Sequence, residues 1–244
     1  MKKEHVVVAK ASRSSNKILE MLPPSEKKMV MNIAERIDPP LRAVLCDAGQ
    51  RLCDVYFPLS NMLSSQVVLE DGTPVEAATI GNEGMAGLAG LLGPREPSLY
   101  RVVQQVPGEC LRVPADQFRR ALQDAAVLRR TLVRYALGLG RQSAQNAACN
   151  LYHNVEKRMA RWLLTSADRT GRDEFDLTQE FLSQMLGVRR QTVNATAGDL
   201  QSAGAIAYRW GRLQILDRRA LEQRACECYR VNRGIHAQVM RKGA

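Results

Sequence analysis

The sequence predicts an α+β fold with three parts: an N-terminal antiparallel β-roll, one long central helix that serves as a dimer seam, and a C-terminal winged helix-turn-helix. Three observations predict it. Residues 41–113 hold six short β-rich runs separated by turn glycines, and residues 118–149 read as one helix with an apolar stripe. The stretch "LTQEFLSQMLGVRRQTVNATAGDLQSAGAI" then reads as two short helices broken at Gly187, with a hairpin after it. The corresponding division is 1–117 for the roll with its N-terminal helices, 118–150 for the dimerisation helix and 151–244 for the winged domain.

At the N-terminus, "SSNKILEMLPPSEKKMVMNIAERI" places Ile18, Leu22, Met29, Ile33 and Ile37 at helical spacing, interrupted by Pro23 and Pro24. Short helices packed on another element follow from that pattern. Past Pro39 and Pro40 the period changes to that of strands. The runs "RAVLC", "DVYFPLS", "LSSQVVLE", "PVEAATI", "RVVQQV" and "CLRV" are separated by "DAGQ", "EDGT", "GNEG" and "VPGE", as in a small antiparallel roll. One loop, "GNEGMAGLAGLLGPREPS", carries Gly84, Gly87, Gly90 and Gly93 at every third place. It lacks the dinucleotide and Walker glycine patterns, so a tight connection is the reading those glycines favour.

From Phe118 to about Cys149 only Gly138 and Gly140 interrupt a helical pattern. Leu128, Leu132, Tyr135, Leu139, Gln142 and Asn146 follow steps of four and three, the spacing of a coiled-coil seam. Such a helix is longer than a small roll can cover, so a second copy of the chain is expected along this stripe. "NVEKRMARWLLTSADR" continues as an amphipathic helix with Val155, Met159, Trp162 and Leu163 on one side. Beyond the two-helix motif, "IAYRWGRLQIL" forms a hairpin about a Trp-Gly turn, and the tail is a further helix with a basic end.

The charge pattern suggests what the motif is for. The chain of 244 residues carries a net charge of +10. From Leu151 onward there are 16 Lys and Arg against 10 Asp and Glu. A basic excess in that segment favours a polyanionic partner. Within the motif Thr178 is the expected N-cap of the first helix and an expected DNA contact, and the second helix begins at Val188 or Arg189. Ser, Thr, Asn or Asp would cap that start better by about 1 kcal/mol, so an arginine there serves something outside the fold. In a helix whose N-terminus enters a major groove, Arg190 can pair with guanine and Gln191 with adenine, while Thr192 and Asn194 reach phosphate or a base edge. Arg189 is expected to meet phosphate, as are the wing residues Arg209 and Arg212, with Trp210 packing at the backbone.

Other chemistries find little support in the sequence. The apolar run "VVVA" is too short for a signal-peptide core and no segment approaches a membrane span, so a cytoplasmic protein without membrane contact is expected. Cys46, Cys53, Cys110, Cys149, Cys226 and Cys228 form no C-x-x-C pair and read as buried or idle thiols, with no metal site expected. His5, His153 and His236 are far apart in sequence, no Ser-His-Asp or metal-ligand spacing occurs, and no catalytic residue is assigned.

Taken together, the roll, the long helix and the winged helix-turn-helix resemble the cyclic-AMP receptor protein and FNR family of bacterial transcription regulators. "LTQEFLSQMLGVRRQTV" and "VEKRMARWLL" are the most specific segments. The resemblance makes the roll cyclic-nucleotide-binding-like. It also implies a homodimer that binds an effector in the roll, relays the signal through the central helices and reads a palindromic promoter site, with RNA polymerase as a further partner. The family's pocket has Gly-Glu followed about ten residues later by Arg-Ser. Aligning Gly84 and Gly87 with its loop glycines puts Leu88 at the glutamate position and Ser98, followed by Leu99, at the arginine position. A buried phosphate without its arginine is costly, so ordinary cyclic-AMP binding is not expected. Arg95 and Glu83 lie nearby and could substitute only on a different loop path. The family's iron-sulfur branch uses an N-terminal cysteine cluster, and the first cysteine here is Cys46, which argues against that cofactor. The alternative is a small-molecule or redox-sensing module whose winged domain contacts protein rather than DNA.

Overall fold

The computed structural model describes residues 15–93 and 96–241. Arg95 and His5 lie outside the described residues. The described residues open with α1 (Lys17–Glu20) and α2 (Pro24–Met31), divided at Pro23 as the prolines require. Next come β1 (Glu35–Ile37), β2 (Val44–Cys46), β3 (Asp54–Pro58), β4 (Met62–Val68) and β5 (Pro74–Ile80). A single-turn helix, Leu88–Leu91, fills the glycine-rich loop before β6 (Arg101–Val106) and β7 (Cys110–Pro114). The strands form two antiparallel sheets, β1-β7-β3 and β2-β6-β4-β5, which face each other as a roll. All six β-rich runs became strands, and Glu35–Ile37 adds a seventh that helical spacing had concealed.

Two corrections concern the central helix. It is not continuous from Phe118: α3 (Ala115–Gln123) stops at Asp124, and α4 (Ala126–Tyr152) starts afresh. Gly138 and Gly140, the residues that looked like interruptions, lie inside α4, where tertiary packing outweighs their roughly 1 kcal/mol propensity cost.

The second correction moves the seam. Leu128, Leu132 and Tyr135 are buried in the core shared by the roll and α1 to α4, with Leu139 packed against it. Gln142 donates to the Thr79 carbonyl at 3.1 Å and Asn146 to the Ala77 carbonyl at 3.3 Å, both on β5. The six residues assigned to a dimer interface therefore face their own chain. The physical reason is that α4 carries two stripes of heptad spacing side by side, and the roll has taken the bulkier one. The other stripe, Val133, Leu137, Gly140, Ala144, Ala147 and Leu151, is exposed, with Leu137 68% and Leu151 76% accessible.

After α4 come α5 (Val155–Thr170), β8 (Glu174–Asp176), α6 (Gln179–Leu186), α7 (Arg190–Ser202), β9 (Ile206–Arg209) and β10 (Arg212–Ile215). The strands make a sheet of order β8-β10-β9, so the expected hairpin is the outer part of a three-stranded wing. The tail holds two helices rather than one, α8 (Arg218–Arg224) and α9 (Cys228–Val239). α9 lies along α4, and a Cβ on Gly138 would come within 2.6 Å of the Val239 side chain. Part of the cover that α4 needs thus comes from the chain's own C-terminal helix. No described helix is long and apolar enough to cross a membrane.

Candidate nucleic-acid interface

The two-helix motif is built as its residue types dictate. Thr178 caps α6, its Oγ1 accepting from the Phe181 amide at 3.1 Å. Phe181, Leu182 and Leu186 turn inward onto Val193, Ala197 and Leu200 of α7, in one core with Met159, Trp162 and Leu163 of α5. Gly187 closes α6 at φ +61°, a left-handed conformation that costs a glycine nothing. A side chain there would meet no neighbour, so backbone conformation alone selects the glycine.

α7 begins with Arg189 at its N-cap, and no side chain caps it. Its first amides and the positive end of its dipole therefore face outward unanswered. Arg189, Arg190, Gln191, Thr192 and Asn194 are all exposed around this end, while Val193 between them is buried. Gln179, which the sequence reading missed, bridges the two helices: its Oε1 accepts from Arg190 Nε at 3.1 Å and its Nε2 donates to Asn194 Oδ1 at 3.0 Å. Its place directly after the cap Thr178 was the available signal. Arg190 is thus held at the mouth of the α6–α7 angle, with the rest of its guanidinium free to engage a ligand.

The wing stands beside this surface. Trp210 and Gly211 turn it at φ +54° and +77°, the paired positive values of a tight hairpin. The Trp210 ring is fully exposed, and Arg209 beside it is exposed as well. Two bonds dock the wing on the entry to α6: the Leu177 amide donates to the Gly211 carbonyl at 2.7 Å, and Tyr208 Oη to the Leu177 carbonyl at 2.7 Å. Burial raises the Tyr208 hydroxyl above its ordinary pKa, opposed by the nearby Arg190 charge, and it remains a donor. Two expected contact residues already have partners. Arg212 pairs with Glu174 at 2.9 Å and Asp176 at 3.7 Å, and Thr178 accepts from Arg42 of the roll at 2.9 Å. Arg42 also lies over the Phe181 ring, tying the roll to α6.

Among the described residues expected around an effector, Gly84, Leu88, Ser98 and Leu99 have different surroundings. Gly84 is backed by the Tyr135 ring, which occupies the space a side chain there would need. Leu88 packs into the roll's core, Ser98 Oγ donates to the Tyr100 carbonyl at 2.7 Å, and Leu99 is exposed. Glu83 is buried beside them but pairs with Arg169 of α5. The six cysteines, read from the sequence as buried or idle thiols, are free thiols, and four of them are buried. Cys149, Cys226 and Cys228 come together with His153, so residues 77 positions apart in the sequence are neighbours in space.

Comparison with known proteins agrees with this architecture. A cyclic nucleotide-binding domain model matches residues 40–125 and a Crp-like helix-turn-helix domain model matches residues 157–224. The chain belongs to the Crp/Fnr family. A relative from Mycobacterium tuberculosis, named a CRP-like cAMP-activated global transcriptional regulator, is 29% identical over 140 residues. The match covers 54% of this chain and 61% of the relative, so the chain spans under two thirds of that protein's length. FixK2 from Bradyrhizobium japonicum shares the fold at a TM-score of 0.65 and 17% identity, over 80% of this chain and 98% of that one. A crp/fnr-family regulator from Eubacterium rectale does so at 0.63 and 16%, over 84% and 96%.

Proposed function

We propose that the protein is a homodimeric, sequence-specific DNA-binding transcription regulator whose roll does not bind cyclic AMP in the family's usual way. The observation that carries this reading is the uncapped start of α7, where Arg189, Arg190, Gln191, Thr192 and Asn194 share one exposed end beside the Trp210 wing. An unanswered helix N-terminus with side chains suited to phosphate and base edges is what a major groove accepts.

Dimerisation supplies the second half-site. The exposed stripe Val133, Leu137, Gly140, Ala144, Ala147 and Leu151 supports a parallel pairing along α4, its small residues letting two helices approach closely. A two-fold dimer reads a palindrome with half-sites about 34–36 Å apart, one helical turn. Of what the Mycobacterium relative is named for, transcriptional regulation carries over in this proposal, with RNA polymerase as a partner of the DNA-bound dimer. Activation by cyclic AMP does not, because Ser98 stands where the pocket arginine is needed and Tyr135 closes on Gly84.

Selection of bound duplexes from a random pool tests the reading. A palindromic motif is expected, with affinity falling steeply as salt rises. A pool without enrichment, or binding insensitive to salt, would favour a winged domain that contacts protein.

A further inference from the structure

At the junction where α4 ends and α5 begins, four potential metal ligands meet. Cys149 sits on the last turn of α4, and His153, its C-cap, follows four residues later on the same face. Cys226 and Cys228 flank Glu227 at the start of α9. The three Sγ atoms and the imidazole nitrogen all lie within 4.8 Å of one another.

Two of the six pairwise separations are already those of a coordination shell. Zinc bonds of about 2.3 Å to sulfur and about 2.0–2.1 Å to nitrogen, at tetrahedral angles, separate neighbouring ligand atoms by about 3.5–3.8 Å. Cys149 Sγ and Cys226 Sγ are 3.5 Å apart, and Cys228 Sγ and His153 Nδ1 are 3.6 Å apart. A disulfide needs sulfurs at about 2.0 Å and would leave Cys228 and His153 unexplained. An iron-sulfur cluster places its own iron and sulfide between the cysteines and would hold them further apart.

The geometry points to a structural zinc site of the Cys3His class formed by Cys149, His153, Cys226 and Cys228. The surroundings are those such a site requires. His153 Nε2 faces Glu227 Oε1 at 3.3 Å, so the carboxylate holds the Nε2 proton and leaves the Nδ1 lone pair for the metal. Gln145 Nε2 donates to Cys228 Sγ at 3.1 Å, supporting a thiolate. Three thiolates and one neutral imidazole around a divalent ion leave a single negative charge, and the three thiol protons pass to solvent. Arg158 and Arg161 of α5 offset that charge, bonded to the Asn150 carbonyl and to Asn146 at the same end of α4. All three cysteines are buried and the His153 side chain is 16% exposed, so four protein ligands close the shell without an open position for a reacting molecule.

The site would join the central helix to α9 across Asn154, the cap from which α5 departs. Zinc would therefore set the angle between α4 and the winged domain, and this goes beyond the DNA-binding proposal without depending on it.

The test uses the full chain purified in reductant. One zinc per chain is expected by elemental mass spectrometry. Cobalt added to metal-free protein should give the visible d–d bands of a tetrahedral thiolate site, with the colour bleached by one equivalent of zinc. Cys228→Ser should abolish the cobalt spectrum, Glu227→Gln should weaken zinc binding about 10–100-fold, and Cys53→Ser should change neither. Wild-type protein that takes up neither metal would overturn the proposal even if the serine variant failed to fold. So would a cobalt spectrum unaltered in Cys228→Ser, or iron and sulfide in place of zinc. None of these measurements involves DNA, so a failed metal site and a failed DNA interface are told apart.

Discussion

Arg169, in the last turn of α5, reaches into the roll and pairs with Glu83 at 2.9 Å, both side chains nearly sealed from solvent at 4% and 5% exposure. The same guanidinium bonds Thr79 Oγ1, Gln142 Oε1 at 3.2 Å and His236 Nε2 at 2.9 Å. One arginine of the winged domain therefore holds β5, the loop after it, α4 and α9 together. Burial is the largest single influence on Glu83 and opposes its ionisation, but the Arg169 charge, His236 and backbone amides that include Gly81 together keep the carboxyl below its ordinary pKa. Removing one partner leaves a buried charge, so Glu83→Ala should cost about 3–5 kcal/mol of stability in denaturant titrations. Glu83→Ala with Arg169→Met should recover much of that loss. A cost below about 1 kcal/mol for Glu83→Ala would show that the pair is not a fastening.

His236 gives this junction a pH dependence. Burial first, and the Arg169 charge second, lower its pKa to about 4, with Glu83 acting in the opposite direction and Lys17 adding to the lowering. The unfolded chain takes up the histidine proton at about 6.5, before the folded chain does. The stabilisation is thus fully present above about 6.5 and declines as pH falls toward about 4. His236 is partly reached by solvent, so the loss should be about 1–2 kcal/mol. His236→Asn should flatten the stability profile between pH 6.5 and 4.5, and an unchanged slope would assign the titration elsewhere.

The stripes of α4 separate folding from assembly. Leu137→Glu should yield a folded monomer by light scattering, because two charges would meet on the dimer axis. Leu132→Glu should unfold the roll, since Leu132 lies in its core. A Leu137→Glu protein that stays dimeric would place the interface elsewhere.

Much of this was legible in the sequence because the signals were local. Turn glycines bounded the strands, and Thr178, Gly187 and the Trp210–Gly211 turn marked the motif. What the sequence hid depends on neighbours. Two heptad stripes on one helix look alike until it is known which one the roll covers. Cys149 and Cys226 have no common motif, because the fold alone brings α4 and α9 together. Glu83 reads only as a possible stand-in at the effector pocket, and nothing local links it to Arg169, 86 positions along the chain.

Cyclic AMP should not bind tightly, and DNA binding should not need it. Ser98 offers the cyclic phosphate no charge and bonds the Tyr100 carbonyl instead. Isothermal calorimetry should show no micromolar affinity, and a dissociation constant in that range or tighter would overturn the pocket argument.

The motif enriched from random duplexes by Arg190→Ala, beside those of wild type and Arg189→Ala, bears most directly on recognition by α7. Arg190 lies one step inside the helix and its loss should remove a bidentate base contact worth about 1–3 kcal/mol. Preference at one position of each half-site should relax. Arg189, at the cap, should leave the motif intact and weaken all duplexes alike, with a shallower dependence of log affinity on log salt. A motif unchanged in Arg190→Ala but altered in Arg189→Ala would contradict the docking of α7 described here.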